Sequence, residues 1–196
     1  MKSSKNKHKY IIGIDEVGRG PIAGPVTVGA VLLPRCFNWK NFKGLKDSKK
    51  LSPKNREAWF SKVIESDRIK YSVSSVGHKI IDSKGISYAI RTAVKNSINS
   101  FDVDPLECLV LLDGGLRAPD KFIFQKTIIR GDEKEFSIAL ASILAKVTRD
   151  RKMISFAKKY FKYGFDIHKG YGTKKHYEFI RKYGVCDIHR KSYIKS

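Results

Sequence analysis

The sequence predicts an α/β domain on a mixed sheet, and three observations carry that expectation. Short apolar runs rich in β-branched residues alternate with segments whose apolar positions recur at helical spacing. Cys108-Leu-Val-Leu-Leu112 is a short continuous apolar run, the mark of a buried central strand. The order is strand, strand, helix, strand in the first half and strand–helix alternation after it, which suits a mixed sheet better than a uniformly parallel one. At 196 residues the chain is long enough to bury one ordinary core.

Met1 to Lys9 holds four lysines and no acid and reads as a flexible basic arm, residues 1–9. Tyr10 to Ile14 is the first strand, ending at Asp15-Glu16 and a glycine turn. Pro25 to Leu33 is the second, stopped by Pro34. Ser52-Pro53 opens a helix, with Ser as the cap and Pro in the first turn. Ile69 to Val76 alternates as a third strand. From Lys79 to Ile98, Ile86, Ala89, Ile90, Ala93, Val94 and Ile98 predict one helix. Cys108 to Leu112 is the fourth strand and ends in Asp113; Phe122 to Ile129 is the fifth. A long helix is expected from Glu135 to Tyr160, completing a domain over 10–160. The remaining segment, 161–196, is basic and reads as a small helical appendage: from Arg151 onward the chain holds 13 Lys or Arg against 3 acids.

Lys plus Arg number 40 against 19 Asp plus Glu, a net charge of +21. Such a surface points to a polyanion, and nucleic acid fits best because Lys and Arg displace its condensed counterions. A membrane surface fits less well, since no basic amphipathic helix presents Trp or Phe on its other face. No apolar stretch approaches the roughly 18–20 residues of a membrane span. A secretory signal is not expected either, because the apolar run after the basic start is cut at Asp15 and Glu16. Cys36, Cys108 and Cys186 are odd in number and far apart, which argues against a disulfide framework or a thiolate zinc site and suits the cytoplasm. With no H-E-x-x-H among the histidines, any metal site is expected to use oxygen ligands.

Acids are scarce here, so their positions matter. Asp15 and Glu16 end one strand and Asp113 another, and ligand sites in open α/β sheets lie beyond strand ends. Two such ends side by side would gather three carboxylates whose repulsion calls for Mg²⁺ or Mn²⁺. Alternatively, Asp15-Glu16 start a turn and Asp113-Gly114 is a hairpin signal; periodicity alone leaves both readings standing. Asp132, three residues before Glu135, has the capping-box spacing and reads first as a helix cap, with room to bind metal as well.

Gly13-Ile-Asp-Glu-Val-Gly-Arg-Gly20 is not a P-loop: it lacks the Lys-Ser/Thr pair and places two acids where phosphates would sit. Gly18-Arg19-Gly20 permits close backbone approach to a ligand, or simply a tight turn. Lys46-Asp-Ser-Lys-Lys50 offers cations and a hydroxyl to a phosphodiester, or is a solvated loop. His168-Lys-Gly-Tyr-Gly-Thr-Lys-Lys-His176 interleaves an aromatic with cations, as a stacking platform would, or is a glycine-rich loop before the last helix.

Taken in order, these segments resemble the bacterial type 2 ribonuclease H family (ribonuclease HII). The match rests on Gly13 to Pro25, Leu45-Lys-Asp-Ser-Lys-Lys-Leu-Ser52, Leu112-Asp-Gly114, Gly131-Asp132, Ser142-Ile-Leu-Ala-Lys-Val-Thr-Arg-Asp150, the His168–His176 motif and His189-Arg190, and covers residues 10 to 196. The resemblance implies a ribonuclease H-like fold: a mixed five-stranded sheet flanked by helices, with a small C-terminal helical segment. It implies an endoribonuclease acting on RNA–DNA hybrids and on the 5′ side of ribonucleotides embedded in duplex DNA. Two divalent ions would assist, leaving 3′-hydroxyl and 5′-phosphate ends. The four metal-binding, catalytic acids fall on Asp15, Glu16, Asp113 and Asp132, with Asp150 outside the set. Ribose reading falls on Gly18, Arg19, Gly20 and Tyr171, and Ser48 and Lys49 lie near the substrate backbone. A monomer is expected, and whether a replication clamp binds is not legible.

Three positions depart from the family pattern: Gly85 and Gly115, each where Asn is usual, and Leu140, where a small residue is common. They bear on helix packing and fine positioning rather than on the acids. A non-catalytic basic RNA-binding protein would explain the charge but give the four acids no purpose. The Gly-Arg-Gly turn and the tyrosine motif argue against a junction resolvase, and the chain lacks room for the extra N-terminal domain of a type 3 ribonuclease H.

Overall fold

A computed structural model describes residues 8–42, 45 and 51–194. The sheet begins with β1 (Tyr10–Val17) and β2 (Val26–Pro34), antiparallel and in register from Tyr10 opposite Pro34 to Val17 opposite Thr27. Helix α1 (Pro53–Ile64) starts as expected, with the Ser52 hydroxyl accepting the Asn55 amide at 3.2 Å. β3 (Lys70–Val76) pairs antiparallel with β2. β4 (Cys108–Asp113) lies parallel to β1 on the other side, and β5 (Gln125–Ile128) parallel to β4. The order β3-β2-β1-β4-β5 is the mixed five-stranded sheet the sequence predicts.

Both faces of the sheet are covered. On one, Ile12, Ile14, Val28, Ala30, Val110 and Leu112 meet Ala89, Ala93 and Val94 of α3 (Ile86–Asn99). On the other, Val31 and Leu33 meet Phe60 and Val63 of α1 and Leu140, Ile143 and Leu144 of α5 (Phe136–Lys159). α5 crosses β1 and β2 so closely that a Cβ on Gly13 would strike the Ser137 backbone, and one on Gly29 the Ala141 carbonyl. That contact sets the helix directly over the strand carrying Asp15. Leu140, one of the departures, is fully buried in this layer.

The single helix expected over Lys79 to Ile98 is two: α2 (His78–Lys84) and α3, broken at Gly85. Gly85 has φ +81 and ψ 160, a conformation open to glycine and outside any helix, and its amide closes α2 on the Ile81 carbonyl. β5 is shorter than predicted. The Gln125 side chain holds the Ala118 amide (2.9 Å) and the Phe122 carbonyl (3.1 Å), so residues 118–122 turn ahead of the strand. Between β5 and α5 stands a separate helical turn, α4 (Gly131–Lys134). The basic end of the chain forms α6 (Phe165–His168) and α7 (Lys174–Tyr183), packed with Ala23 and Met153 around Tyr163, Phe165 and Ile188. Among the described residues no helix is long and apolar enough to cross a membrane.

Candidate active site

Pairing between β1 and β4 ends at Ile14 opposite Leu112, so Asp15 and Asp113 are the next residues on adjacent strands. Ligand oxygens of Asp15, Glu16 and Asp113 all lie within 4.8 Å of one another. Asp15 is buried; its Oδ1 accepts the Glu16 amide at 2.7 Å, and Ser142 of α5 hydrogen-bonds its side chain. Burial, then the charges of Asp113 and Glu16, push the Asp15 carboxyl up to about 7, against those two hydrogen bonds. Unit charges about 5 Å apart at an effective dielectric near 20 repel by roughly 3 kcal/mol. An all-oxygen donor set under such repulsion fits a divalent cation.

Asp113 also meets the next element: its Oδ1 accepts the Gly131 amide at 2.6 Å. Gly114 follows with φ +55, so the chain turns directly after Asp113, but the hairpin reading fails: β5 runs parallel to β4, and Asp15 and Glu16 lie within β1 rather than in a turn. Asp132 lies inside α4, almost fully buried, beside the residue that Asp113 holds. Its carboxylate stands outside the group of three, and the residue borders a small cavity with Leu45 and Phe136. The capping box does not form: Glu135 occupies the extended position before α5, which has no side-chain cap, and α4 keeps Asp132 away from it.

The three acids line a cleft of about 430 Å³ that also contains Arg56, Lys146 and Tyr171. Tyr171 is 42% exposed, so its ring is available to a ligand. Gly18 has φ +93, Arg19 is exposed and reaches Glu16 at 3.8 Å, and Gly20 faces open space. Two buried guanidiniums hold this turn. Arg190 donates to the carbonyls of Gly18 (2.6 Å), Gly24 (2.9 Å) and Arg19 (3.1 Å). Arg149 donates to those of Pro25 (2.9 Å), Lys169 (3.0 Å) and Ala23 (3.3 Å), tying the loop after β1 to the segment carrying Tyr171. Burial lowers the Arg149 pKa to about 10, which leaves it charged at neutral pH.

The two histidines that bound the His168–His176 stretch turn inward, while residues 171–175 between them are exposed. The His168 and His176 rings stack at 4.1 Å, and only Tyr171 of the predicted platform's rings is turned outward. The Tyr171 carbonyl can only accept, so His176 Nδ1, 2.9 Å away, carries the hydrogen. His176 Nε2 then accepts from His189 Nε2 at 3.0 Å, and His189 Nδ1 accepts the Cys186 amide at 2.8 Å. All three histidines are held below the usual imidazole range, first by burial, and His176 falls to about 4.

Ser48 and Lys49 lie outside the described residues. The sequence reading gave no role to Arg56, Ser142, Lys146, Arg149 or Arg190. A signal existed for three of them: Ser142, Lys146 and Arg149 follow at i, i+4 and i+7, polar residues on one face of α5.

Carboxylates gathered where neighbouring strands of this sheet end, in a molecule otherwise rich in cations, are suited to holding divalent ions against a nucleic-acid backbone. By class the fold and site are those of a metal-dependent nuclease of the ribonuclease H type. The family model described as Ribonuclease HII matches residues 12–196, and the chain belongs to that family. The ribonuclease HII of Caldicellulosiruptor bescii is 47% identical over 189 residues, covering 96% of this chain and 88% of that protein. The ribonuclease HII of Clostridioides difficile is 45% identical, covering 95% and 71%. Among solved structures, ribonuclease H2 from Pyrococcus horikoshii OT3 superposes with a TM-score of 0.74 at 28% identity, covering 93% of each chain. The ribonuclease HII of Archaeoglobus fulgidus, solved in complex with PCNA, shares the fold at a TM-score of 0.77 and 23% identity, covering 95% and 96%. The chain is thus a metal-dependent endoribonuclease that cleaves the RNA of RNA–DNA hybrids.

Proposed function

We propose that this enzyme also cuts on the 5′ side of single ribonucleotides embedded in duplex DNA, leaving 3′-hydroxyl and 5′-phosphate ends. The observation that carries the reading is the sharing of one cleft by the Asp15, Glu16 and Asp113 carboxylates and the Tyr171 ring. Asp15, Glu16, Asp113 and, from α4, Asp132 hold the ions. Bound there, two Mg²⁺ or Mn²⁺ ions would supply water activation and stabilisation of the departing 3′ oxygen. Ser142 fixes the Asp15 carboxylate, and Arg56 and Lys146 offer positive charge to the phosphodiester from the cleft wall.

Ribose selection falls to Gly18, Arg19 and Gly20, whose backbone groups approach a 2′-hydroxyl without an intervening Cβ at the glycines, and to Tyr171. Ser48 and Lys49 are assigned to the substrate backbone. Residues 10–160 form the catalytic unit, and the 161–196 segment supplies Tyr171 and the histidines behind it; of the arm expected over 1–9, residues 1–7 lie outside the described residues, and Lys9 is tied to the fold through the Glu107 carbonyl at 2.9 Å. The enzyme works as a monomer. A duplex carrying one ribonucleotide should be nicked on that residue's 5′ side with Mg²⁺ and left whole with chelator. An intact duplex in Mg²⁺, or cleavage elsewhere, contradicts the proposal.

A further inference from the structure

Arg19 faces two ways. Its guanidinium reaches Glu16, and the same side chain lines a second cleft of about 240 Å³ together with Ser87, Arg91, Gly115 and Arg117. Arg91 and Arg117 also line a neighbouring cleft of about 390 Å³, where Lys95 joins them. None of Ser87, Arg91, Lys95 or Arg117 has a part in the site described above.

The α3 contribution is regular. Ser87, Arg91 and Lys95 lie four residues apart on the exposed face of a helix whose other face, at Ala89, Ala93 and Ser97, is buried against the sheet. Like charges at i and i+4 work against a helix. α3 has no acidic residue, and among the described residues Arg91 and Lys95 form no ion pair, although Asp120 lines the same cleft. Arg117 is paired with Asp120 at 3.0 Å, but both side chains are largely exposed, and such a pair is easily exchanged for a phosphate.

An exposed charge row is most often a solvated helix face. Three features set this one apart: it lines a concavity floored by Ile90, Val94 and Leu116, it draws cations from α3 and from the turn after β4, and it continues from the Gly18–Gly20 turn through Arg19. Eight residues of helix span roughly 12 Å, and one strand of a duplex carries three to four phosphates over that length at about 3.4 Å each.

We propose that Arg91, Lys95 and Arg117 form a second track for the phosphodiester backbone of the nucleic-acid duplex, entered through Arg19 on leaving the ribose-reading turn. The inference rests on the reading of that turn given above. Gly115 fits this placement: with no side chain at the mouth of the cleft, the backbone passes without obstruction.

The test is duplex binding by the full chain across a salt series in chelator, alongside steady-state cleavage in Mg²⁺. In the double variant Arg91→Glu/Lys95→Glu, affinity should fall by tenfold or more. The slope of log affinity against log salt should shrink by about 1.8, or 0.9 for each lost phosphate contact. KM should rise correspondingly, with kcat within about twofold of wild type. Arg91→Gln/Lys95→Gln, which does not reverse charge, should show the same slope change if the reversal misfolds. Conservative Arg91→Lys/Lys95→Arg should restore both slope and KM. Unchanged affinity and slope in the Arg91→Glu/Lys95→Glu or the Arg91→Gln/Lys95→Gln variant overturns the track. If the variants show the predicted slope change but the wild type leaves a ribonucleotide-bearing duplex whole in Mg²⁺, the track stands and the cleavage reading fails instead.

Discussion

Asp113 accepts the Gly131 amide at 2.6 Å, and this bond joins the end of β4 to the helical turn carrying Asp132. A member of the three-carboxylate cluster therefore also positions the turn that carries Asp132. The arrangement leaves little room, since a Cβ on Gly131 would lie 2.6 Å from Ile138 Cδ1 and 3.3 Å from Asp113 Oδ1. Ile138 is fully buried and cannot swing into solvent.

Gly131→Ala should accordingly be an overpacking mutation that is felt at the acids. It should cost about 1–3 kcal/mol in a denaturant melt, and cleavage by the folded variant should drop as Asp113 is displaced. Wild-type stability with wild-type turnover would mean that α4 is free to shift.

Asp15 gives a pH signature. Folded, it binds its proton more tightly than unfolded, so its contribution favours the folded state at low pH and is lost as pH rises from about 4 through about 7. At 1.36 kcal/mol per pKa unit the full change is on the order of 4 kcal/mol. In metal-free buffer, Asp15→Asn should therefore gain stability relative to wild type across that window, and saturating Mg²⁺ should close the gap. Parallel stability–pH curves for the two proteins would show that Asp15 is not strained.

The histidine chain has the opposite sign. His176 binds its proton less tightly folded than unfolded, so its contribution is present above about 6.5 and is lost as pH falls toward about 4. His189→Ala would leave His176 Nε2 and the Cys186 amide without their partner. Each such loss costs roughly 1–3 kcal/mol. At neutral pH, thermal melts of this variant should show that loss, and the acid-side fall in stability should be shallower than in wild type. Equal melting temperatures would show that solvent replaces His189 freely.

The strand pattern and the acids at strand ends were legible because each is local: a run of Val, Ile and Leu, then a carboxylate. Asp15 and Asp113 announced themselves by ending such runs. The break at Gly85 was masked by apolar spacing that continues across it, and the shortening of β5 by the Gln125 side-chain bonds, which no periodicity records. The capping-box reading of Asp132 failed because the intervening turn α4 depends on the Asp113–Gly131 contact, between residues 18 apart in the chain. Arg149 and Arg190 serve carbonyls more than a hundred residues away, beyond any local signal.

Tyr171 tests how ribose is read. Tyr171→Ala should lower cleavage at a lone ribonucleotide by at least about tenfold, the equivalent of some 1.4 kcal/mol. Affinity for an all-DNA duplex should change far less. Tyr171→Phe, which keeps the ring, should retain part of the activity. Equal cleavage by Tyr171→Ala and wild type would make the loop structural only.

The most direct measurement is single-turnover cleavage of a duplex with one ribonucleotide by Asp113→Asn in Mg²⁺, with binding of the same duplex followed in parallel. Disturbing the outer partners of a metal ligand costs about 10–100-fold; removing the ligand's charge should cost more than about a hundredfold in rate, with affinity for the duplex within a few-fold of wild type. Cleavage by Asp113→Asn at the wild-type rate would contradict the assignment of the Asp15–Glu16–Asp113 cluster as the seat of catalysis.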